Sequence, residues 1–257
     1  MLSTYADFTR ITGNLTASLD RVSRQPMVMR ETEYYLANIE NIDSIEALVE
    51  DSRLFNYAMK AHGLSDMAYA RAFMIKVLEE GRDDTDSFAN TLTDTRYREF
   101  AETFDFHRYG EAATTFTKAR QGVVDRYMRQ TLEEDAGADN EGVRLALYFQ
   151  RKAASIDSAY AILGDKALAT VVRTSLGMPE ATALLDIDKQ KEMLEARIDF
   201  ADFTDPEKLS RFLERFTNLW ELANPQSSAL QGAQALISPL SSVGISSDLM
   251  LTIQNLK

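Results

Sequence analysis

Apolar residues recur along this chain at the three- and four-residue spacing of one face of a helix. The clearest runs are Met67, Ala70, Met74 and Val77; Phe116, Ala119, Val123 and Tyr127; and Leu209, Phe212, Phe216 and Leu219. The sequence contains neither a convincing alternating run of β-branched residues nor an Asn-Gly or Asp-Gly hairpin turn. The pattern therefore predicts an all-α, multi-helical fold.

Polar residues and glycines mark where several of these helices begin and end. Thr204–Glu207 joins a capping residue, an early proline and a Glu able to close a capping box. Asp43–Glu46 is a second start of this kind. Gly63 and Gly177 are expected to end helices, because glycine adopts the left-handed conformation at low cost.

The chain resembles itself at a displacement of 114 residues. Between positions 34 and 63, eight residues are identical to those 114 positions later: Tyr34, Ile42, Asp43, Ser44, Ala47, Asp51, Leu54 and Gly63. Helices with similar apolar spacing can produce such matches by coincidence. The matched serine, aspartate and glycine lie off the apolar face, however, so we predict two repeat-related helical halves.

Changes in composition suggest four segments. We predict an N-terminal segment (1–26), a first helical repeat (27–137), a second repeat (138–224) and a charge-poor C-terminal segment (225–257). The boundary between the halves is placed near Asp135 to Gly142, where the glycine and acidic residues of Glu133–Asn140 are expected to break a helix as a solvated connection. Gly81–Ser87 is predicted to be another acidic connection.

The two ends differ from the body of the chain. Residues 222–247 carry no charge, and Phe8, Ile11, Leu15 and Leu19 follow a nearly heptad spacing. One interpretation is that both ends pack on the body. The other is that they are assembly segments that order against each other or a partner and stay mobile in the monomer. The candidate assembly residues are Phe8, Ile11, Leu15, Leu19, Leu230, Leu236 and Ile253.

Charge and composition narrow the classes of partner. The 257 residues include 40 acidic and 28 basic side chains, which gives a net charge of −12, and no Lys/Arg block occurs. Such a field repels nucleic acids and anionic lipids. No apolar stretch is long enough to insert into a membrane, and the first residues lack the pattern of a signal peptide. The absence of cysteine excludes disulfides and thiolate chemistry.

Residues with catalytic or metal-binding potential do not form a recognisable motif. His62 precedes a helix-ending glycine, where a cation is favoured, and His107 is expected in an exposed turn. Neither has a second histidine at helical spacing, and the acidic runs lack the order of a calcium loop. Phosphate-binding glycine loops are also missing. We predict a protein that is not an enzyme and binds no cofactor or metal.

Several segments nevertheless resemble one known family. They are residues 30–36, 56–61, 72–81, 87–90 and 93–101 in the first half, and 142–149, 159–165 and 244–249 later in the chain. Together they are similar to the domain-of-unknown-function family 1217 of Alphaproteobacteria, which is associated with flagellar gene clusters. The resemblance carries no catalytic motif, so it transfers a context and no active-site residue.

The resemblance implies a role in the bacterial flagellum, and two placements compete. In the first, the protein is a non-catalytic structural or interaction component, either exported or associated with the rod or basal body. In the second, it is a cytoplasmic adaptor or assembly factor, whose net negative charge suits a basic partner. Both expect a protein partner from the flagellum and allow an oligomer. An enzyme with a site built from scattered residues is a third possibility.

Overall fold

The computed structural model describes residues 3–225, and all regular secondary structure within that range is helical. The helices are α1 (Thr4–Thr12), α2 (Leu15–Ser23), α3 (Pro26–Asn38), α4 (Ile45–Glu50), α5 (Ser52–Ala61), α6 (Arg71–Glu79), α7 (Phe88–Thr91), α8 (Thr95–Thr103), α9 (Phe106–Tyr109), α10 (Gln121–Asp139), α11 (Glu141–Lys152), α12 (Ala159–Leu163), α13 (Lys166–Ser175), α14 (Ile187–Glu195) and α15 (Pro206–Ala223). Short 3₁₀ turns connect several of them. The predicted all-α, multi-helical fold is confirmed.

One hydrophobic core extends through both halves. Tyr35 and Phe55 from the first half and Phe149 and Phe216 from the second are fully buried in the same cluster. The long helix α10 lies between the halves and packs against both α5 and α11. The halves therefore share their interior, and a cavity or groove between their helices is held by a rigid frame.

The helices α11, α12 and α13 of the second half correspond in order to α3, α4 and α5 of the first half. Ser44 caps α4 and Ser158 caps α12, each by accepting a hydrogen bond from the backbone N–H three residues later. Gly63 and Gly177 have φ of 70° and 63°, a backbone conformation that favours glycine. The same local devices thus begin and end equivalent helices in both halves.

Two of the three apolar runs cross the start of a helix. α10 begins only at Gln121, because the backbone of Arg120 (φ −101°, ψ −97°) is not helical. Similarly, Ala70 precedes α6 in a non-helical conformation. The apolar spacing continues across these turns because residues on both sides face the same core, as Ala119 and Val123 do. A continuous α-helix was therefore the wrong prediction for residues 67–70 and for residues 116–120.

The acidic stretch at the predicted boundary is also helical. α10 continues to Asp139, and the break between the two long helices falls at Asn140, which caps α11. Glu133 is buried, and Gly137 is packed so closely against Arg144 that a Cβ would lie 2.7 Å from its side chain. The prediction of a solvated connection was wrong because these residues serve helix–helix packing. The division into four segments stays a prediction.

Candidate functional site

A cavity of about 630 Å³ lies where three helices begin, and we call it the junction cavity. It is lined by Asp94 and Arg96 at the start of α8, Glu141, Arg144 and Tyr148 on α11, Asp165, Lys166 and Thr170 around the start of α13, Gln130 on α10 and Trp220 on α15. The volume falls in the range of small-molecule sites. Both halves of the chain contribute to its wall.

The wall of the junction cavity is polar because residues that cap helices form part of it. The first N–H groups of a helix have no partner within it, so a side-chain oxygen commonly accepts from them. Asp94 accepts from the backbone N–H of Arg96, and Asp165 accepts from those of Ala167 and Leu168. Asn140 does the same for α11. Two of these capping groups, Asp94 and Asp165, line the cavity beside Glu141 at the start of α11.

Two arginines in the wall are paired with neighbouring carboxylates. Arg96 binds Asp94 at 2.7 Å and also donates to the carbonyl of Gly63, whereas Arg144 pairs with Glu141. Burial opposes the charge of Arg96, yet its hydrogen bonds to Asp94 raise its pKa overall. The hydrogen bond to Glu141 raises the pKa of Arg144. Both guanidinium groups stay charged and are held in place.

Tyr148 donates a hydrogen bond to the capping carboxylate of Asp165. Burial, followed by the negative charge of Asp165, raises the pKa of Tyr148 above its ordinary value. Each resolved pKa shift in the junction cavity thus moves a group further from neutral pH. The arrangement suits the binding of polar groups better than the transfer of protons.

A second feature is a group of exposed apolar side chains, which we call the apolar cluster. It consists of Leu184, Leu185 and Ile187 at the start of α14, with Tyr160 from α12. Leu184 is 88% exposed, and the Tyr160 hydroxyl donates to Asp188 at 2.9 Å, which holds its ring beside α14. Exposed apolar groups in contiguous positions are typical of protein-binding surfaces.

The candidate assembly residues of the N-terminal segment lie on the body. Phe8 and Ile11 of α1 are buried, and Leu15 and Leu19 of α2 are half-buried against the core. The backbone N–H of Thr4 donates to Glu221 at 3.0 Å, which ties α1 to α15. Leu230, Leu236 and Ile253 lie outside the described residues. An assembly role for these seven residues stays a prediction.

The histidines are placed differently from each other. His62 is buried, and its pKa is lowered to about 3 because burial disfavours the charged ring. The prediction that His62 is a cation at the end of α5 was therefore wrong, because Phe100 and Phe104 pack against its ring. His107 is exposed, as expected. Within residues 3–225 no three His, Asp or Glu side chains are grouped to hold a metal ion.

No helix in the described part of the chain has the length and apolarity needed to cross a membrane.

Sequence reasoning missed the junction cavity, although one signal for it was present. Tyr34 and Asp51 are identical to Tyr148 and Asp165 at the displacement of 114 residues, and in both pairs the tyrosine donates a hydrogen bond to the aspartate. A tyrosine 17 residues before a capping aspartate could have indicated that contact. Arg96 and Trp220 come from distant parts of the chain, and no local pattern predicts that they meet at this cavity.

Comparison with known proteins gives a family and one similar structure. The X-ray crystal structure of a protein from Agrobacterium tumefaciens is 50% identical to this chain, with a TM-score of 0.82. The match covers 88% of this chain and 98% of that one. No curated protein matches the chain. The model of the family described as "Protein of unknown function (DUF1217)" matches residues 61–209. The chain therefore belongs to the DUF1217 family, as the resemblance predicted.

Proposed function

We propose that this protein is a non-catalytic structural or interaction component of the bacterial flagellum, associated with the rod or basal body or exported. The flagellar context comes from the family resemblance. The observation that carries the interaction role is the apolar cluster, because its side chains are exposed in a chain with a net charge of −12. Burying one such leucine or isoleucine against a partner contributes about 1.5–3 kcal/mol.

The alternative is a cytoplasmic adaptor or assembly factor for flagellar biogenesis. It uses the same apolar cluster, so the two proposals differ in where the protein is found and not in how it binds. The net negative charge favours a partner with a basic surface in either case. An enzyme is the third candidate, and the junction cavity is the observation that favours it, since several ionisable groups converge there.

The proposal includes the origin of the two halves, which we infer to be duplicated copies of one helical unit. The matched caps of α4 and α12 and the matched glycine ends of α5 and α13 support that origin. The apolar cluster lies in the second half, whereas the first half exposes other apolar side chains, such as Met27 and Tyr69. The first-half position equivalent to Tyr160 is the charged residue Glu46.

Substitution of the apolar cluster tests the interaction role. A flagellated host that lacks its own copy would be complemented with Leu184→Ser or with the matched control Leu222→Ser, whose side chain is 79% exposed outside the cluster. We expect L184S to reduce swimming in soft agar and L222S to preserve it, with both variants keeping the wild-type melting temperature. Equal swimming by wild type and L184S/I187S would contradict the proposal.

A further inference from the structure

The structure brings together a basic groove that the sequence pattern did not reveal. The groove has a volume of about 450 Å³ and lies between the end of α13, the turn after α14 and the first half of α15. Four cations line it: Arg197 from the turn, and Lys208, Arg211 and Arg215 from α15. All four side chains are exposed. The last three are spaced three and four residues apart, which places them on one face of α15.

The floor of the groove is apolar and well supported. Phe212 lies there, and its ring stacks on Phe149 at 5.3 Å and meets Phe203 edge-on at 5.2 Å. Ile198 and Leu176 add aliphatic surface. A floor packed in this way keeps its shape when a ligand binds. The groove therefore offers both an apolar surface and a cationic rim.

The charges of the groove are only partly neutralised from within. Asp202 binds Lys208 at 2.5 Å and raises the pKa of that lysine. Asp199 also lines the groove, and Asp205 beside it acts on Lys208 and Arg211, so four cations face three carboxylates. Within residues 3–225, Arg197, Arg211 and Arg215 form no salt bridge. An excess of positive charge thus remains for a ligand, in a chain that is otherwise strongly acidic.

We propose that this groove binds an acidic amphipathic segment of a protein partner, with its apolar side on Phe212 and its carboxylates on Arg211 and Arg215. The inference rests on the proposed interaction function and concerns one segment of that partner: the net charge of −12 favours basic groups elsewhere on the partner, whereas this groove takes an acidic segment. The cations on α15 lie within eight residues, from Lys208 to Arg215, which is about 10 Å of helix. A partner helix with acidic residues at a similar spacing matches that length, and planar guanidinium groups bind carboxylates in a bidentate manner.

Charge and composition exclude the competing occupants. The chain's own residues 226–257 include a single acidic residue, Asp248, so they lack the required carboxylates. Nucleic acids and anionic membranes present extended negative charge that the net charge of −12 repels. A short acidic peptide meets only the local excess of positive charge.

The test uses the purified full chain and fluorescein-labelled 15-residue helical peptides that share a leucine face and differ in the polar face. The polar positions are all Glu, all Ser or all Lys, and binding is followed by fluorescence anisotropy. We expect the Glu peptide to bind at least about tenfold more tightly than the Ser peptide, and to weaken as salt screens the contacts. The Lys peptide is attracted only to the acidic surface outside the groove, so its affinity should not fall when Arg211 and Arg215 are replaced.

Matched double variants assign the binding to the groove. Arg211→Glu with Arg215→Glu should weaken the Glu peptide by about tenfold or more. Arg21→Glu with Arg24→Glu changes the net charge equally at exposed positions outside the groove, and it should bind like wild type. Equal loss in both pairs would overturn the proposal, because only the overall charge would then matter. Equal binding of the Glu and Ser peptides would also overturn it.

Three further outcomes would overturn the proposal in favour of another occupant. They are tighter binding of a single-stranded 12-nucleotide DNA, tighter binding of phosphatidylglycerol vesicles, and a concentration-dependent dimer that R211E/R215E abolishes. Failure here is distinct from failure of the proposed function. If the protein does not bind acidic peptides but is recovered with flagellar structures, the proposed flagellar role stands. Only the proposed acidic partner of the groove is then contradicted.

Discussion

The hydroxyl of Tyr34 donates a 2.8 Å hydrogen bond to the carboxylate of Asp51, the residue that caps α5. The same contact joins Tyr148 to Asp165, which caps α13. In each half, therefore, a tyrosine on one helix fixes the start of another through its capping residue. This contact gives the matched tyrosine and aspartate the same role in both halves, and in the second half it forms part of the wall of the junction cavity.

Loss of the Tyr148 hydroxyl should destabilise the fold. Tyr148→Phe leaves the carboxylate of Asp165 without its buried donor, and a hydrogen bond to a charged group contributes about 1.5–3 kcal/mol. Tyr34→Phe should cost less because that site is more exposed. Urea unfolding followed by circular dichroism measures both, with the exposed Tyr69→Phe as control. A Y148F midpoint equal to that of Y69F would contradict the structural role.

Removal of the buried carboxylate of Glu133 should strongly lower the free energy of unfolding. It is 1% exposed and pairs with Arg151 at 2.7 Å and Arg129 at 3.2 Å, so it joins α10 to α11. Glu133→Ala leaves two arginines uncompensated, and we expect a loss of about 3–5 kcal/mol in the free energy of unfolding.

A neighbouring glutamate provides the control for that change. Glu134 pairs with Lys60 at the surface, and exposed pairs contribute about 0.2–1 kcal/mol. Guanidinium unfolding of Glu133→Ala and Glu134→Ala should therefore give clearly different midpoints. Similar midpoints would show that the Glu133 pair is not buried in solution.

The stability of the protein should fall as acid protonates unfolded His62. Burial lowers its folded pKa to about 3 from an ordinary value of 6.5, and Arg126 and Lys152 also disfavour the charged ring. Between these values the unfolded state binds the extra proton, so stability rises with pH. The contribution is complete above pH 6.5 and is lost towards pH 3.

Removal of the imidazole should remove this part of the pH dependence. From pH 7 to pH 5 the wild type should lose about 2 kcal/mol more than His62→Gln, at about 1.4 kcal/mol per pH unit below 6.5. Urea unfolding at several pH values gives both curves. Parallel curves for the two proteins would contradict a buried, neutral His62.

Gly142 should resist substitution although it lies in a helix. A Cβ at this position would lie 2.3 Å from the ring of Trp220, which is the only tryptophan in the chain. Gly142→Ala should therefore destabilise by about 1–3 kcal/mol, where alanine normally favours a helix. The shifted indole should also change the tryptophan emission spectrum.

A second helical glycine supplies the comparison. A Cβ at Gly122 would meet the carbonyl of Thr117 at 3.4 Å, which is nearly ordinary contact. Gly122→Ala should change the free energy of unfolding by less than about 0.5 kcal/mol and leave the emission unaltered. An unchanged spectrum in G142A would contradict the packing of α11 on α15 at the junction cavity.

Local signals were predictable from the sequence, and long-range contacts were not. Ser44 and Gly63 have short-range partners, so their roles at helix ends followed from residue type and spacing. His62 was recognised at a helix end, but its burial depends on Phe100 and Phe104 of a separate segment. Glu133 was taken for a solvated residue because its partner Arg151 lies on the next helix.

The composition of the two candidate binding surfaces also depends on long-range contacts that the sequence does not predict. The spacing of Lys208, Arg211 and Arg215 on one helical face was visible, yet the chain as a whole is acidic and no cluster was expected. Arg197 joins them only through the turn after α14. Whether apolar residues are exposed, as Leu184 is, depends on what packs over them, and spacing alone does not provide that information.

The central claim, a flagellar interaction protein, is tested most directly by fractionation of a flagellated host. An antibody against this chain would be used to probe purified hook–basal bodies, the medium and the cytosol, with a strain lacking the protein as control. The account predicts recovery with the hook–basal body and loss of that signal in the L184S/I187S variant. Exclusive recovery from the cytosol of a strain whose motility is unaffected by deletion of the protein would contradict it.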